Sequence, residues 1–66
     1  MRIILNGKPE ELPANLDIET LLVSRNIDLS KVVVEYNETI IKSSSWKATI
    51  IQEDDRLEIL SFVGGG

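Results

Sequence analysis

The sequence predicts an α+β fold, a mixed sheet of four or five strands covered by one main helix. Three observations predict it. An Asn6-Gly7 dipeptide joins two short extended segments near the start, the stretch Ile18 to Leu22 carries apolar residues at helical spacing, and β-branched runs dominate the remainder. With 66 residues there is room for one small domain and no second. A chain this short hides only about 60% of the surface its unfolded form exposes, so its stability margin is thin. No internal repeat and no linker interrupts it.

Arg2 to Leu5 is rich in β-formers, and the Asn6-Gly7 pair behind it is the strongest short hairpin signal, favouring a type I′ turn. Lys8 to Leu12 forms the return strand. Pro9 has no N–H to give to a ladder, which places this strand at a sheet edge. Pro13-Ala14-Asn15 is a loop. Asp17 is the expected N-cap of the helix, with Glu19 in the first turn where the helix dipole favours an acid. Ile18, Leu21 and Leu22 fall at i, i+3 and i+4, giving an amphipathic helix of about ten residues. Arg25 lies towards its end, Asn26 supplies the left-handed stop, and Ile27 and Leu29 tuck the exit onto the core. So short a helix does not hold in water alone and must dock on the sheet.

Lys31 to Tyr36 is β-branched and almost unbroken by polar residues, as an interior strand requires. Asn37-Glu38 turns the chain into Thr39-Ile40-Ile41. The polar stretch Lys42 to Lys47 is expected to be irregular, anchored by Trp46, and Ala48 to Ile51 to be extended. Glu53-Asp54-Asp55 makes an acidic turn before the last strand, Arg56 to Phe62. In that strand Leu57, Ile59 and Ser61 share one face, and Glu58, Leu60 and Phe62 share the other. If the first and last strands are neighbours in mid-sheet, they run parallel and the helix provides the crossover.

Composition narrows the function. The chain has no cysteine, hence no disulfide, thiolate metal site or thiol nucleophile. It has no histidine, the commonest general base. Ser43-Ser44-Ser45 lacks a partner that would activate a hydroxyl. A substrate, carrier or binding module is expected, not an enzyme. The formal charge of -4 comes without any basic cluster, which argues against nucleic acid and against an anionic membrane. No apolar run is long enough to span a bilayer, and Met1 to Leu5 is too short for a signal peptide. A cytoplasmic protein, monomeric when free, with an acidic surface suited to a basic partner is expected. Glu53, Asp54, Asp55 and Glu58 lack the ligand alternation of a calcium loop, so they read as a solvated turn or an electrostatic handle, and no metal is assigned. Glu10 and Glu11 read as a polar edge. Glu35 and Asn37 read as turn or interface residues without a catalytic role.

The run Ile59-Leu60-Ser61-Phe62-Val63 passes directly into Gly64-Gly65-Gly66. Glycine permits close backbone approach, so a flexible tail of residues 64–66 behind a domain of residues 1–63 suits threading into another protein's active site. Val63 and the residues behind it reach at most about 14 Å when extended. Leu60, Phe62 and Val63, with Glu58 beside them, are the expected partner-binding residues, since exposed aromatic and apolar side chains concentrate at interfaces.

Several segments carry a family likeness: Ile3-Ile4-Leu5-Asn6-Gly7, Ile18-Glu19-Thr20-Leu21-Leu22, Val32-Val33-Val34-Glu35-Tyr36-Asn37, and Arg56-Leu57-Glu58-Ile59 running on to Phe62-Val63-Gly64-Gly65-Gly66. Over essentially its whole length the chain resembles the ubiquitin-like β-grasp sulfur carriers, and among them the thiamine-biosynthesis sulfur-carrier family. One departure is the Glu53-Asp54-Asp55 turn, where members of the family often carry Asp-Gly-Asp. Asp tolerates the left-handed region, so the turn is expected to survive.

The resemblance implies that the Gly66 carboxylate is the reacting group and that Gly64 and Gly65 thread it. An E1-like adenylyltransferase using ATP and magnesium converts it to an acyl-adenylate, and sulfur from a cysteine desulfurase type of donor replaces AMP. The resulting thiocarboxylate gives its sulfur to thiazole synthase. The chain itself binds no cofactor. A molybdopterin-type carrier and a ubiquitin-like protein modifier share the terminal glycines and stand as alternatives.

Overall fold

In the computed structural model of the chain, the described residues are 1–62, and the expectations placed on Val63, Gly64, Gly65 and Gly66 fall outside them. Five strands, β1 (Arg2–Leu5), β2 (Lys8–Glu11), β3 (Val32–Tyr36), β4 (Thr39–Ile41) and β5 (Arg56–Ser61), form one sheet in the order β2-β1-β5-β3-β4. β1 and β5 are parallel, and the other neighbours are antiparallel. The first and last strands are thus neighbours near the middle, as the crossover geometry requires, and β2 with Pro9 is an edge.

Helix α1 (Ile18–Ser24) lies on one face of this sheet. Asp17 caps it, accepting from the Thr20 backbone N at 2.9 Å and the Thr20 hydroxyl at 2.6 Å. Seven residues are helical rather than the expected ten, because the cap at Asp17 and the stop at Asn26, with Arg25 as C-cap, leave only Ile18–Ser24 between them. Asn26 takes φ 59° while the N–H groups of Asn26 and Ile27 donate back to Val23 and Leu22 at 3.0 and 3.1 Å. That is a Schellman termination with an apolar residue, Ile27, folded back onto the core. Arg25 leaves the end of the helix to pair with Glu10 on β2, which holds the Glu10 carboxyl below the usual carboxylate range, chiefly through their hydrogen bond.

The core between sheet and helix contains Ile3, Leu5, Ile18, Leu21, Leu22, Val32, Val34, Trp46, Ile51 and Leu57. Two expectations for the connections need correction. The stretch around Trp46 is not irregular but forms a short helix, α2 (Ser43–Trp46), because burying the indole and bonding its Nε1 to the Ile41 carbonyl at 3.1 Å winds the chain into one turn. The Ala48 to Ile51 segment contributes a single bridge, Asp17 to Ile50, and no strand. Its Ala48 and Thr49 N–H groups bond back to Ser45 and Trp46 of α2, and two further bonds tie it to the entrance of α1, from Ile51 N to Leu16 O and from Ile18 N to Thr49 O. A 3-10 turn over Leu29–Lys31, capped by Asp28, also precedes β3.

The Asn6-Gly7 turn does more than reverse the chain. Asn6 and Gly7 have φ 50° and 82°, as a type I′ turn demands. Asn6 also accepts from the Ile59 backbone N through Oδ1 at 2.7 Å, extending the β1–β5 ladder beyond the last paired residue of β1. Asn6→Ala is expected to lose about 2 kcal/mol, because alanine tolerates the left-handed conformation less well than asparagine and no longer accepts from the Ile59 N–H. Asn6→Asp, which keeps the tolerance of the left-handed region and the acceptor oxygen, is expected to stay near wild type. Urea midpoints of the two variants check this.

Candidate functional site

Strand β5 is the element that leads towards the glycines, and three hydrogen-bonding groups fix it. Asn6 holds its middle at Ile59. On the other side Asn37, itself at φ 50° in the β3–β4 turn, accepts from Arg56 N at 2.8 Å through Oδ1 and donates through Nδ2 to Asp55 at 3.1 Å. Two left-handed asparagines, one from each flanking hairpin, therefore grip the same strand.

Asp55 completes the grip. Only 9% exposed, it accepts from the Tyr36 hydroxyl, from Asn37 and from Gln52 N at 2.7 Å. Burial alone pushes its carboxyl upward, but these hydrogen bonds outweigh that and hold it below the ordinary aspartate value. Burial, chiefly, and the same contact push the Tyr36 phenol up to about 12. The reading of Glu53, Asp54 and Asp55 as a solvated turn is thus corrected at Asp55, whose carboxylate serves the fold. Glu53 accepts from Arg2 N at 3.1 Å. Asp54, where the family often has glycine, takes φ 70° and the turn is retained. The Glu53 and Asp55 carboxylates accept from separate protein donors, and among the described residues no metal-holding cluster of acidic or other ligand side chains is found.

Alternation along β5 turns Leu57 and Ile59 onto the core and presents Glu58 and Leu60 on the opposite face of the sheet. Leu60 is 49% and Phe62 48% exposed, so both stand outside the core. The Phe62 N–H donates to Lys31 O at 3.0 Å, anchoring the last described residue against the start of β3. Register brings together residues distant in sequence. Leu60 sits opposite Val33, Glu58 opposite Glu35, and Glu35 opposite Ile40. Ile40 is 65% exposed. The result is an apolar surface of Val33, Ile40 and Leu60 beside two carboxylates, with a groove between Phe62, Val33 and Ile40.

Three of the expected partner-binding residues, Glu58, Leu60 and Phe62, are therefore accessible, and Leu60 and Glu58 share one face. Val63 and Gly64 to Gly66 lie outside the described residues. Sequence reasoning missed Val33 and Ile40. In an unbroken apolar run such as Val32-Val33-Val34 no polar alternation reveals which valine faces outward. Among the described residues no helix is long and apolar enough to cross a membrane.

Comparison with known proteins places this surface in context. The ThiS family model matches residues 3–66. The crystal structure of the thiamine biosynthesis protein ThiS from Geobacter metallireducens superposes with a TM-score of 0.87 at 30% identity, covering all of both chains. The thiazole synthases of Magnetococcus marinus and Paramagnetospirillum magneticum are 38% and 36% identical to this chain over its full 66 residues. The chain spans about a fifth of the length of those two proteins. With a ubiquitin-like β-grasp sheet, a single main helix and a family match that runs through the glycines, the chain belongs to the ThiS family.

Proposed function

We propose that this chain carries sulfur to thiazole synthase as a thiocarboxylate on Gly66. The observation that carries the reading is the family match through Gly66, joined to an apolar surface at Leu60 and Phe62 on the strand that leads to that residue. Whole-chain similarity to a portion of two thiazole synthases supports that enzyme as the acceptor.

The chemistry follows from what a carboxylate lacks. It is a poor electrophile, so an E1-like adenylyltransferase with ATP and magnesium makes the acyl-adenylate, and pyrophosphate leaves. The outer sulfur of a persulfide on a desulfurase-type donor, originating from cysteine, attacks the carbonyl carbon and AMP departs; a thiol then reduces the resulting acyl disulfide, leaving the thiocarboxylate and carrying the donor sulfur off as a disulfide. The thiocarboxylate sulfur is then the nucleophile that thiazole synthase uses. This chain is a co-substrate in these steps. It contributes a docking surface, and Gly64 and Gly65 allow close approach around the reacting carbon. A cytoplasmic setting goes with ATP-dependent partners.

Incubation with the cognate activating enzyme, ATP, magnesium and a sulfur source, followed by intact-mass measurement, tests the reading. The expected product is heavier by one sulfur-for-oxygen replacement, and the added mass disappears when thiazole synthase and its substrates are supplied. Conjugates linked to lysine would identify a protein modifier instead. A thiocarboxylate consumed only by a molybdopterin-forming enzyme would identify the other sulfur pathway.

A further inference from the structure

The outer sheet face carries an arrangement that works against the stability of the free domain. Glu35 and Glu58 are direct cross-strand partners in the antiparallel β3–β5 pair, and like charges so placed destabilise a sheet. Both are half-buried. Among the described residues neither takes part in an ion pair, the two salt bridges being Arg25–Glu10 and Lys31–Asp28. Arg56 precedes Glu58 by two residues on the same strand face and, among the described residues, makes no salt bridge with either glutamate. The exposed apolar side chains of Ile40 and Leu60 flank these carboxylates, Ile40 opposite Glu35 and Leu60 next to Glu58 along that face of β5.

We infer that this face seats an arginine of thiazole synthase, its guanidinium shared by Glu35 and Glu58 and its aliphatic stem lying against Leu60 and Ile40. The inference rests on the proposed function and names the chemistry of the docking contact. A planar fork of N–H donors matches paired carboxylates, and an arginine stem covers apolar surface while its charge meets the acids. A second copy of this chain does not fit. Stacking two such faces would bring four carboxylates together on molecules that each carry a net charge of -4. A basic partner converts the repulsion into recognition, and charge complementarity chiefly sets specificity and association rate.

The test is a pair of measurements on the full chain and on Glu35→Gln, Glu58→Gln and the double variant. Thermal unfolding is expected to rise by about 2–4 °C in the single variants as repulsion is relieved. Binding to the cognate thiazole synthase is expected to weaken about tenfold in the double variant, with a shallower dependence on salt. Glu19→Gln, which removes the same charge from α1 on the other side of the sheet, is expected to leave binding unchanged. Opposite signs for stability and binding separate a recognition role from a structural one. Wild-type binding that the double variant matches would overturn the seat and leave the carrier reading intact. Failure of the wild-type chain to bind any thiazole synthase would remove both.

Discussion

Replacing Gly65 by valine is expected to leave the domain folded while reducing adenylation of Gly66 by at least about a hundredfold, the loss typical of a misplaced reacting atom. The fold does not need the residue. The buried core of the described residues runs from Ile3 to Leu57, and the sheet's last strand closes at Ser61. The proposed chemistry does need it. A branched side chain one residue from the reacting carbon restricts the backbone to conformations that glycine is free to leave, and it adds bulk where the chain must pass close to the activating enzyme. Gly65→Ala is expected to fall between the two. Release of AMP with the cognate enzyme measures the effect, and the urea midpoint shows that the body is unchanged. Normal AMP formation by the valine variant would refute threading of the tail.

The two halves of that prediction differ in how they could be read from the chain. Local chemistry announced the elements. Asn6-Gly7 specified a hairpin, Asp17 a helix start, Asn26 a helix stop and Pro9 an edge strand, and each takes that role. The interval of polar and apolar residues in β5 also told which side chains face outward, because Glu58 breaks the apolar run and fixes the phase. What stayed hidden depends on partners chosen by the fold. Nothing local in Asn6 or Asn37 indicates that both side chains hold β5, since the strand they grip is 53 residues from one and 19 from the other. The Glu35–Glu58 contact likewise exists only through the β3–β5 register. α2 was obscured by its serines, which favour turns in isolation, and it forms because Trp46 finds a buried site.

Asp55 shows the same limit most sharply, and its substitution carries the largest expected effect on the fold. Within Glu53-Asp54-Asp55 the sequence gives no sign that the third acid is buried, yet three donors converge on it from β3, from the β3–β4 turn and from Gln52. Asp55→Ala would leave the Tyr36 hydroxyl and the Gln52 N–H without an acceptor in a part-buried site, at a loss of about 3 kcal/mol. Domains of this size have a total stability of only about 3–10 kcal/mol, so the variant would lie close to unfolding at room temperature. Asp55→Asn keeps an acceptor for one donor and is expected to lose less. Acid sensitivity gives an independent check. The folded-state pKa of Asp55 lies below the unfolded aspartate value near 3.8, so its stabilisation is fully present above that value and vanishes as the pH falls through the lower folded-state pKa. Tyr36 works in the opposite sense: its folded-state pKa of about 12 exceeds the usual 10.0, so its contribution holds below pH 10 and is lost as pH climbs towards 12. Urea midpoints between pH 2 and 5 should decline steeply for the wild-type chain, and the Asp55→Asn variant should lose part of that slope. An unaltered acid limb in that variant would show that the carboxylate, despite its three donors, contributes no linked stability.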